Sequence, residues 1–518
     1  MQNGLCLEEL DADETETVSI FKEVVVIGNG PSAISVSYIL SGHWPYYKGN
    51  GHSVEFLHYR LMEQKEVSLV EQDLNFLCEG LEGRSSNPVS VLFDLLNHPD
   101  ADLGLQLPST LQWLYHSDKA FDHVVIGRGK PGGSWQGMEG STLTISLGNW
   151  MELPNLSYKE WEAHMQKDKI SANCIKQNRA TVRSVAQYYS DYVHLQKLRN
   201  YFRNKSEVTR VTPLSDSNDT NWKVEGYQYD NGRKIRFSYI TPNVVLATGS
   251  YDLPNCLDVA GEELPFVLHS LSQLEWLIST KRISSESDPI LIVGAGLSAA
   301  DAVIAAHFYG ISCIHVFRRS VTDKNLIFNK LPGNMYPEYH KVHQMMQGKG
   351  VGYQGYQPIP SHRVVNIASN NKVQLQGPSS CMSIYVSYVV VLVGSLPDLS
   401  FLPETGRHLA VHPDRVINGR DNTIKIDMLT HETISAPGVY ALGPIVGDNF
   451  VSYNVYCHVH ADCPYPDTRN GHCLVFYLEL PIQNRIDVIH SKVLHKFEAQ
   501  QNIHCDHIIK QYQIKKVA

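Results

Sequence analysis

The run Val24-Val-Val-Ile-Gly28-Asn-Gly30-Pro-Ser-Ala33, near the start of this 518-residue chain, is typical of one class of fold. Four β-branched apolar residues predict a buried strand, and the apolar positions after Ala33 predict a helix. The G-x-G-x-x-A turn between them permits a tight bend, a close approach of the backbone to a pyrophosphate and close packing of helix on strand. The helix N-terminus favours phosphate groups. We predict a dinucleotide-binding loop made of Gly28, Gly30, Pro31, Ser32 and Ala33.

A second copy of this pattern lies at Ile290-Leu-Ile-Val-Gly294-Ala-Gly296-Leu-Ser298-Ala-Ala-Asp301. Two strand–turn–helix copies in one chain are stronger evidence for nucleotide binding than either copy alone. We predict that Gly294, Gly296 and Ser298 hold the pyrophosphate of a second dinucleotide.

The strand after the second copy ends in two arginines. Arg318 and Arg319 follow Ile314–Phe317, at the point where an NAD-binding enzyme would carry an acid for the ribose. Guanidinium groups match the geometry of a 2′-phosphate, so the pair predicts a preference for NADPH over NADH. The alternative interpretation is an exposed basic strand end.

Seven short apolar runs alternate with helix-like segments along the chain. Strands that are apolar throughout are typical of a parallel sheet covered on both faces. The predicted class is therefore α/β and doubly wound, with two interleaved Rossmann-like dinucleotide-binding domains. The runs are Val24–Ile27, Val124–Ile126, Val244–Ala247, Ile290–Val293, Ile314–Phe317, Val389–Val393 and Val439–Leu442.

Composition excludes several classes of protein. The net charge of -9 is spread along the chain, which argues against a nucleic-acid partner because such a partner needs a basic face. The longest apolar runs are far shorter than the roughly 20 residues that cross a bilayer, so no membrane span is predicted. Ten cysteines show no framework spacing, which indicates a reducing, intracellular and cytoplasmic setting. The chain has no H-E-x-x-H, no G-x-S-x-G and no P-loop, so hydrolase and kinase functions are not indicated.

Two further motifs resemble the flavin-containing and Baeyer–Villiger monooxygenases. Pro131-Gly132-Gly133-Ser134-Trp135 follows a strand, and Ala247-Thr248-Gly249-Ser250 ends another. The resemblance implies FAD at the N-terminal loop, with Gly132, Gly133 and Trp135 beside the flavin. It also implies that Thr248 and Gly249 lie where the chain passes between domains.

Longer runs resemble the oxidative stress-induced growth inhibitor family over roughly residues 20 to 452. They are Glu79–Pro88, Asn149–Pro154, Tyr336–Met346, Pro397–Leu402 and Leu442–Phe450. This resemblance implies an NADPH-dependent, monooxygenase-like flavoprotein associated with growth control, cell death and late cytokinesis at the midbody. It also implies protein partners in those processes.

The expected domain organisation follows from these motifs. Residues 20–255 and 385–460 form the FAD-binding domain, with an insertion at about 47–120, and residues 256–384 form the NADPH-binding domain. Residues 1–19 are expected to be a mobile acidic leader, and residues 461–518 a divergent tail.

The adenosine end of the FAD site departs from the larger flavoprotein class. Its members end the strand before the Gly-Gly-x-Trp turn with an acid that holds the ribose, whereas this chain has Gly127 and Arg128 there. An alternative hypothesis makes Val67–Val70 the second strand and Glu71 the ribose acid.

Two other elements match only in part. The monooxygenase fingerprint F-x-G-x-x-x-H is present only in part, as Phe266-Val-Leu-His269. His269 is either a catalytic residue that orients the nicotinamide or a flavin-bound oxygen species, or a histidine of a linker between domains. In the third flavin element Gly443 is followed by Pro444, and the acid arrives only at Asp448. We predict that Gly443 and Asp448 contact the flavin or its ribityl chain, with a turn acid as the alternative.

Beyond Val451 the likeness stops, and a helix N-terminus that relatives direct at the flavin is missing from the pattern. The nearby histidines and cysteines fit no standard zinc spacing, so no metal site is predicted. They are Cys457, His458, His460, Cys463, His472 and Cys473. An amphipathic pattern over 485–500 predicts a packed or partner-binding helix.

Two functional hypotheses remain from the sequence. In the first, NADPH reduces the flavin, O₂ then reacts with it, and one oxygen atom passes to a small-molecule substrate that the sequence does not identify. In the second, the chain is a flavoprotein-derived regulatory scaffold that acts through protein partners. The missing ribose acid favours the scaffold, and the two glycine turns with the arginine pair favour the enzyme.

Overall fold

The structure is a computed structural model that describes residues 18–83, 85–166, 179–214, 221–349 and 354–448. The predicted leader up to residue 17, the cysteine and histidine cluster and the 485–500 helix lie outside the described residues.

The described helices and strands alternate along most of the chain. The α-helices are α1 (Pro31–Leu40), α2 (Glu55–Glu63), α3 (Leu74–Cys78), α4 (Pro88–Asn97), α5 (Tyr158–Gln166), α6 (Val182–Leu195), α7 (Leu271–Ser279), α8 (Leu297–Phe308) and α9 (Pro337–Met346). The strands are β1 (Ile20–Phe21), β2 (Val24–Ile27), β3 (His43–Tyr47), β4 (Leu111–Tyr115), β5 (His123–Ile126), β6 (Leu143–Leu147), β7 (Arg179–Thr181), β8 (Phe202–Arg203), β9 (Ser206–Leu214), β10 (Asn221–Asp230), β11 (Arg233–Thr241), β12 (Asn243–Leu246), β13 (Leu253–Pro254), β14 (Val267–Leu268), β15 (Ile290–Val293), β16 (Cys313–Phe317), β17 (Tyr356–Pro360), β18 (Arg363–Ile367), β19 (Lys372–Gln376), β20 (Cys381–Tyr385), β21 (Val389–Val391), β22 (Ser395–Leu396) and β23 (Val439–Ala441).

The first parallel sheet has the strand order β23-β12-β2-β5-β8. Alternate residues of β2 face opposite layers: Val24 and Val26 pack in the cluster that contains α1, and Val25 and Ile27 pack with the antiparallel sheet β1-β11-β10-β9. One face is thus covered by a helix and the other by a second sheet. All four residues of β2 are buried, which explains why the strand is apolar throughout.

The second parallel sheet repeats this arrangement with the order β14-β21-β15-β16-β17. Ile290 and Ile292 of β15 pack in the cluster that contains α7, α8 and α9. Leu291 and Val293 pack instead with the antiparallel sheet β18-β19-β20. The predicted α/β class with two dinucleotide-binding sheets is confirmed, and all seven apolar runs lie on strands of these two sheets.

Two short strands connect the halves. β13 pairs antiparallel with β22, with Leu253 opposite Leu396, where the chain leaves the first sheet and where it returns. We call this pair the crossing ribbon.

A second contact between the halves is polar and buried. The side chain of Arg179 in β7 is only 2% exposed, and its guanidinium forms an ion pair with Glu338 of α9 at 2.8 Å. It also donates to the carbonyl oxygens of Thr144 and Met335 and lies over the ring of Tyr336. Buried charges of this kind are stable only when they are fully paired, so the contact holds the two halves in one relative position.

The segment between α1 and β5 forms a small unit of its own. Strands β3 and β4 pair antiparallel, and α2, α3 and α4 pack against them around a separate core. The hypothesis that Val67–Val70 is a sheet strand is wrong: Leu69–Glu71 is a short 3-10 helix, and Leu69 is buried in this separate core. Glu71 forms an ion pair at 2.8 Å with Lys119, which precedes β5.

None of the α-helices in the described part of the chain has both the length and the apolar character that a bilayer crossing requires.

Candidate functional site

The first glycine of each turn lies against the end of a neighbouring strand. Gly28 has φ 109° and Gly294 has φ 139°, a region that residues with side chains rarely adopt. A Cβ atom on Gly28 would overlap the carbonyl oxygen of Ala247, and one on Gly294 would overlap that of Leu392. Ala247 follows β12 and Leu392 follows β21, so the same contact is made in both sheets.

The second glycine of each turn faces open space. A Cβ atom on Gly30 or Gly296 would have no atom within 4 Å. Each glycine is the N-cap of a helix, α1 or α8, and neither helix start has a side-chain cap. The first-turn N–H groups of a helix have no partner within it and carry the positive end of its dipole. The first cradle (Gly28–Ala33) and the second cradle (Gly294–Ser298) therefore both fit a diphosphate.

Distant segments converge on the first cradle. A Cβ atom on Gly133 would lie 3.0 Å from the Cα of Gly30, and the N–H of Gly132 donates to the carbonyl of Asn29 at 2.8 Å. A Cβ atom on Gly443 would lie 2.5 Å from the hydroxyl oxygen of Ser32. Pro31 occupies the first turn of α1, and Ala33 is fully buried against the sheet. The Trp135 ring lies 6.0 Å from the Tyr189 ring.

Two buried polar atoms beside the first cradle have no partner among the described residues. They are the hydroxyl of Thr248 and one carboxylate oxygen of Asp448, while the other Asp448 oxygen accepts a hydrogen bond from Ser85 at 3.5 Å. Burial raises the pKa of Asp448 to about 7. Buried polar atoms are nearly always hydrogen-bonded, so this pair fits a ligand that carries hydroxyl groups, as the ribityl chain of a flavin does. Gly249, next to Thr248, also faces open space.

Asn29 explains the missing ribose acid. A Cβ atom on Gly127 would overlap the side chain of Asn29, so no acid fits at this position. The Asn29 amide donates to the carbonyl of Gly129 at 2.9 Å and to the side chain of Asn204 at 3.2 Å. The sequence pattern gave no reason to single out Asn29, because it occupies a variable position of G-x-G-x-x-A. Arg128 points away to Asp398, at 2.6 Å.

A histidine of the neighbouring strand, outside the glycine motif, holds the first glycine of the second cradle by a hydrogen bond. His315 of β16 is fully buried, and its Nε2 lies 2.7 Å from the carbonyl oxygen of Gly294. Its Nδ1 lies 2.8 Å from the hydroxyl of Tyr356. Burial lowers the pKa of His315 to about 4, so the ring is neutral and donates to Gly294 while it accepts from Tyr356.

The arginine pair lies beyond the same strand. Arg318 and Arg319 are exposed and follow β16 directly, while Ser298 is exposed in the first turn of α8. Arg319 forms a half-exposed pair with Asp323 at 3.2 Å. An exposed pair of this kind is weak, so a phosphate group can compete for the guanidinium.

His269 follows β14 and faces Glu262. Its Nε2 lies 3.0 Å from a carboxylate oxygen of Glu262, and about a quarter of its side chain is exposed. The sequence pattern had suggested His269 without indicating this partner.

Comparison with known proteins agrees with this geometry. The Pyridine nucleotide-disulphide oxidoreductase family model matches residues 116–443. Oxidative stress-induced growth inhibitor 1 of Mus musculus is 45% identical over 446 residues, which cover 83% of this chain and 92% of the relative. The chain belongs to the oxidative stress-induced growth inhibitor family. The resemblance seen in the sequence is thus confirmed.

Solved structures show the same fold. Bacillithiol disulfide reductase from Bacillus cereus aligns over 82% of this chain and 91% of its own, with a TM-score of 0.50 and 15% identity. L-lysine 6-monooxygenase from Pseudomonas syringae aligns over 84% of this chain and 97% of its own, with a TM-score of 0.50 and 14% identity. At this level of identity the likeness concerns the fold alone.

The contact between Gly127 and Asn29 generates a prediction for this family member. Gly127→Ala should lower the free energy of unfolding by about 1–3 kcal/mol, because the added methyl group overlaps the Asn29 side chain. Adding Asn29→Ala should recover part of that loss. The matched control is Gly129→Ala, which places its methyl group in open space. Chemical denaturation of the wild type, Gly127→Ala, Asn29→Ala and the double variant measures the coupling. Equal effects of Gly127→Ala and Gly129→Ala would contradict the contact.

Proposed function

We propose that this protein is an FAD-dependent oxidoreductase that consumes NADPH and acts as a monooxygenase on a small molecule. The observation that carries the proposal is the convergence of three distant segments on the first cradle, where two buried polar atoms have no hydrogen-bond partner among the described residues. The family and the fold support an oxidoreductase, and the finer activity is our inference from the site.

In this proposal the first cradle holds FAD. Gly28, Gly30, Pro31, Ser32 and Ala33 surround its diphosphate, and Gly132, Gly133 and Trp135 line the flavin side. Thr248, Gly249, Gly443 and Asp448 contact the ribityl chain and the ring. The flavin, when bound, supplies the transfer of electrons from NADPH to O₂, which no side chain can perform.

Two features of the protein around the first cradle would act on a bound flavin. Because burial raises the pKa of Asp448 to about 7, its carboxyl group can donate or accept a hydrogen bond near neutral pH. The Gly-Gly turn forms one wall of the cradle, since a Cβ atom on Gly133 would lie 3.0 Å from the Cα of Gly30.

The second cradle holds NADPH in the same proposal. Gly294, Gly296 and Ser298 surround the diphosphate, and Arg318 and Arg319 bind the 2′-phosphate. His269 orients the nicotinamide, with its ring held by Glu262. We place the NADPH-binding domain at 256–384 and the FAD-binding domain at 20–255 with 385–460.

The cysteines favour oxygen over a disulfide as the electron acceptor. The chain has no C-x-x-C pair, and its closest cysteines, Cys457 and Cys463, are six positions apart. A dithiol of the usual redox-active spacing is therefore missing from the sequence.

A regulatory scaffold is the second candidate function. Asn29 fills the place of the ribose acid, and Arg128 is engaged by acidic side chains, so the adenosine end differs from that of the larger class. The names of the relatives support a role in growth inhibition induced by oxidative stress, and we propose that the scaffold exerts it through protein partners. Roles in cell death and in cytokinesis at the midbody belong to this proposal as well.

Purified full-length protein should be yellow, or become yellow with added FAD, because the first cradle and its unpartnered atoms bind the flavin. NADPH should bleach the absorption without oxygen, and air should restore it. A visible spectrum and the rate of NADPH consumption under air measure both events. Colourless protein that binds no added FAD would leave only the scaffold.

Replacing Arg318 and Arg319 together with alanine should raise the KM for NADPH at least tenfold, because each charged hydrogen bond to phosphate contributes roughly 1.5–3 kcal/mol. The KM for NADH should change little. Steady-state kinetics with both nucleotides test this, with Arg210→Ala, an exposed arginine of β9, as the control. Equal losses for NADPH and NADH would refute the assignment of the 2′-phosphate.

A further inference from the structure

Three chemically different metal-binding side chains meet just beyond the crossing ribbon. Cys256 lies two residues after β13, Glu262 lies in the following loop, and His269 follows β14. One ligand atom from each, the thiol sulfur, a carboxylate oxygen and an imidazole nitrogen, lies within 4.8 Å of both others.

The carboxylate at the centre of this cluster is held in place by the backbone. Its oxygens accept hydrogen bonds from the N–H of Leu257 at 2.8 and 2.9 Å and from that of Asp258 at 2.9 Å. Glu262 is only 9% exposed. In metal sites, hydrogen bonds of this kind hold a ligand side chain in one orientation before the metal binds.

The electrostatics of the cluster suit a cation better than a free thiolate. The carboxylates of Glu262 and Asp258 create a negative field at the Cys256 thiol. The same negative field attracts a metal ion, which displaces the thiol proton when it binds.

We propose that Cys256, Glu262 and His269 form a binding site for a divalent transition metal, with Zn²⁺ as the best match. Thiolate, carboxylate and imidazole are all zinc ligands, and three protein ligands leave a fourth tetrahedral position for water. Binding releases the thiol proton to solvent, and the charges of thiolate and carboxylate balance those of the ion. The proton of the His269 ring then resides on the nitrogen that does not bind the metal.

The position of the site gives it a regulatory consequence. The metal would join the residues after the crossing ribbon to the edge strand β14 of the second sheet. It would also withdraw His269 from the nicotinamide, so metal binding and that role exclude each other. The site itself depends on neither nucleotide.

Titration of the full-length protein with Co²⁺ tests the proposal, because a thiolate ligand gives Co²⁺ an intense charge-transfer absorption. The wild type should show this band and bind one more equivalent of Co²⁺ than Cys256→Ser, and added Zn²⁺ should abolish the band. His269→Gln should lower the affinity for that Co²⁺ ion at least tenfold. The matched control is Cys381→Ser, since Cys381 is another exposed free cysteine.

The difference between variants is the readout, because the chain has other cysteines and histidines. Unchanged far-ultraviolet circular dichroism of Cys256→Ser and Cys256→Ala would show that the variants fold. Equal binding and equal spectra in the wild type and Cys256→Ser would overturn the site and leave Glu262 and His269 as a structural hydrogen-bonded pair. The titration requires no FAD or NADPH, so its failure is distinct from a failure of the proposed redox function.

Discussion

The structure depends on one steric constraint that occurs twice, namely the contact of a glycine Cα with the carbonyl oxygen that ends a neighbouring strand. At Gly28 the oxygen belongs to Ala247, and at Gly294 it belongs to Leu392. Any side chain at either position would push the turn off its sheet, since both residues also have positive φ. The contact fixes where each helix begins and therefore where its first-turn N–H groups point. The second glycine can face open space only because the first is held so tightly.

The two halves use this constraint in the same architecture. Each has a parallel sheet between a helical layer and a small antiparallel sheet, and each cradle lies at the carboxyl end of its strands. Binding at that edge is the rule for open α/β sheets. Arg179 and the crossing ribbon then hold the halves together, and such a hold is needed if electrons are to pass between two bound nucleotides.

The features that could be predicted from the sequence are those that a local pattern of residues determines. The seven apolar runs, both glycine turns and the α/β class could be predicted because each depends on residues that are close in the chain.

The sequence could not show that Asn29 fills the space beside Gly127, because that contact joins residues 98 positions apart. The pairing of Glu262 with His269 could not be predicted either, because the backbone N–H groups of Leu257 and Asp258 orient the Glu262 carboxylate. Glu71 was misplaced in one hypothesis because a short apolar run does not distinguish a sheet strand from a segment of a small separate core. The convergence of Thr248 and Asp448 on the first cradle depends on the strand order β23-β12-β2, which no local signal encodes.

If each cradle binds the diphosphate of its own nucleotide, matched substitutions in the two cradles should have separate effects. Gly30 and Gly296 have extended backbone angles and open space around the Cβ position, so valine at either site should leave the fold intact. The bound flavin in purified protein and the affinity for NADPH are then measured for each variant. Gly30→Val should lose the flavin, whereas Gly296→Val should keep it and lose affinity for NADPH. Two folded variants that both retain wild-type flavin content and wild-type NADPH affinity would contradict this assignment of the two cradles.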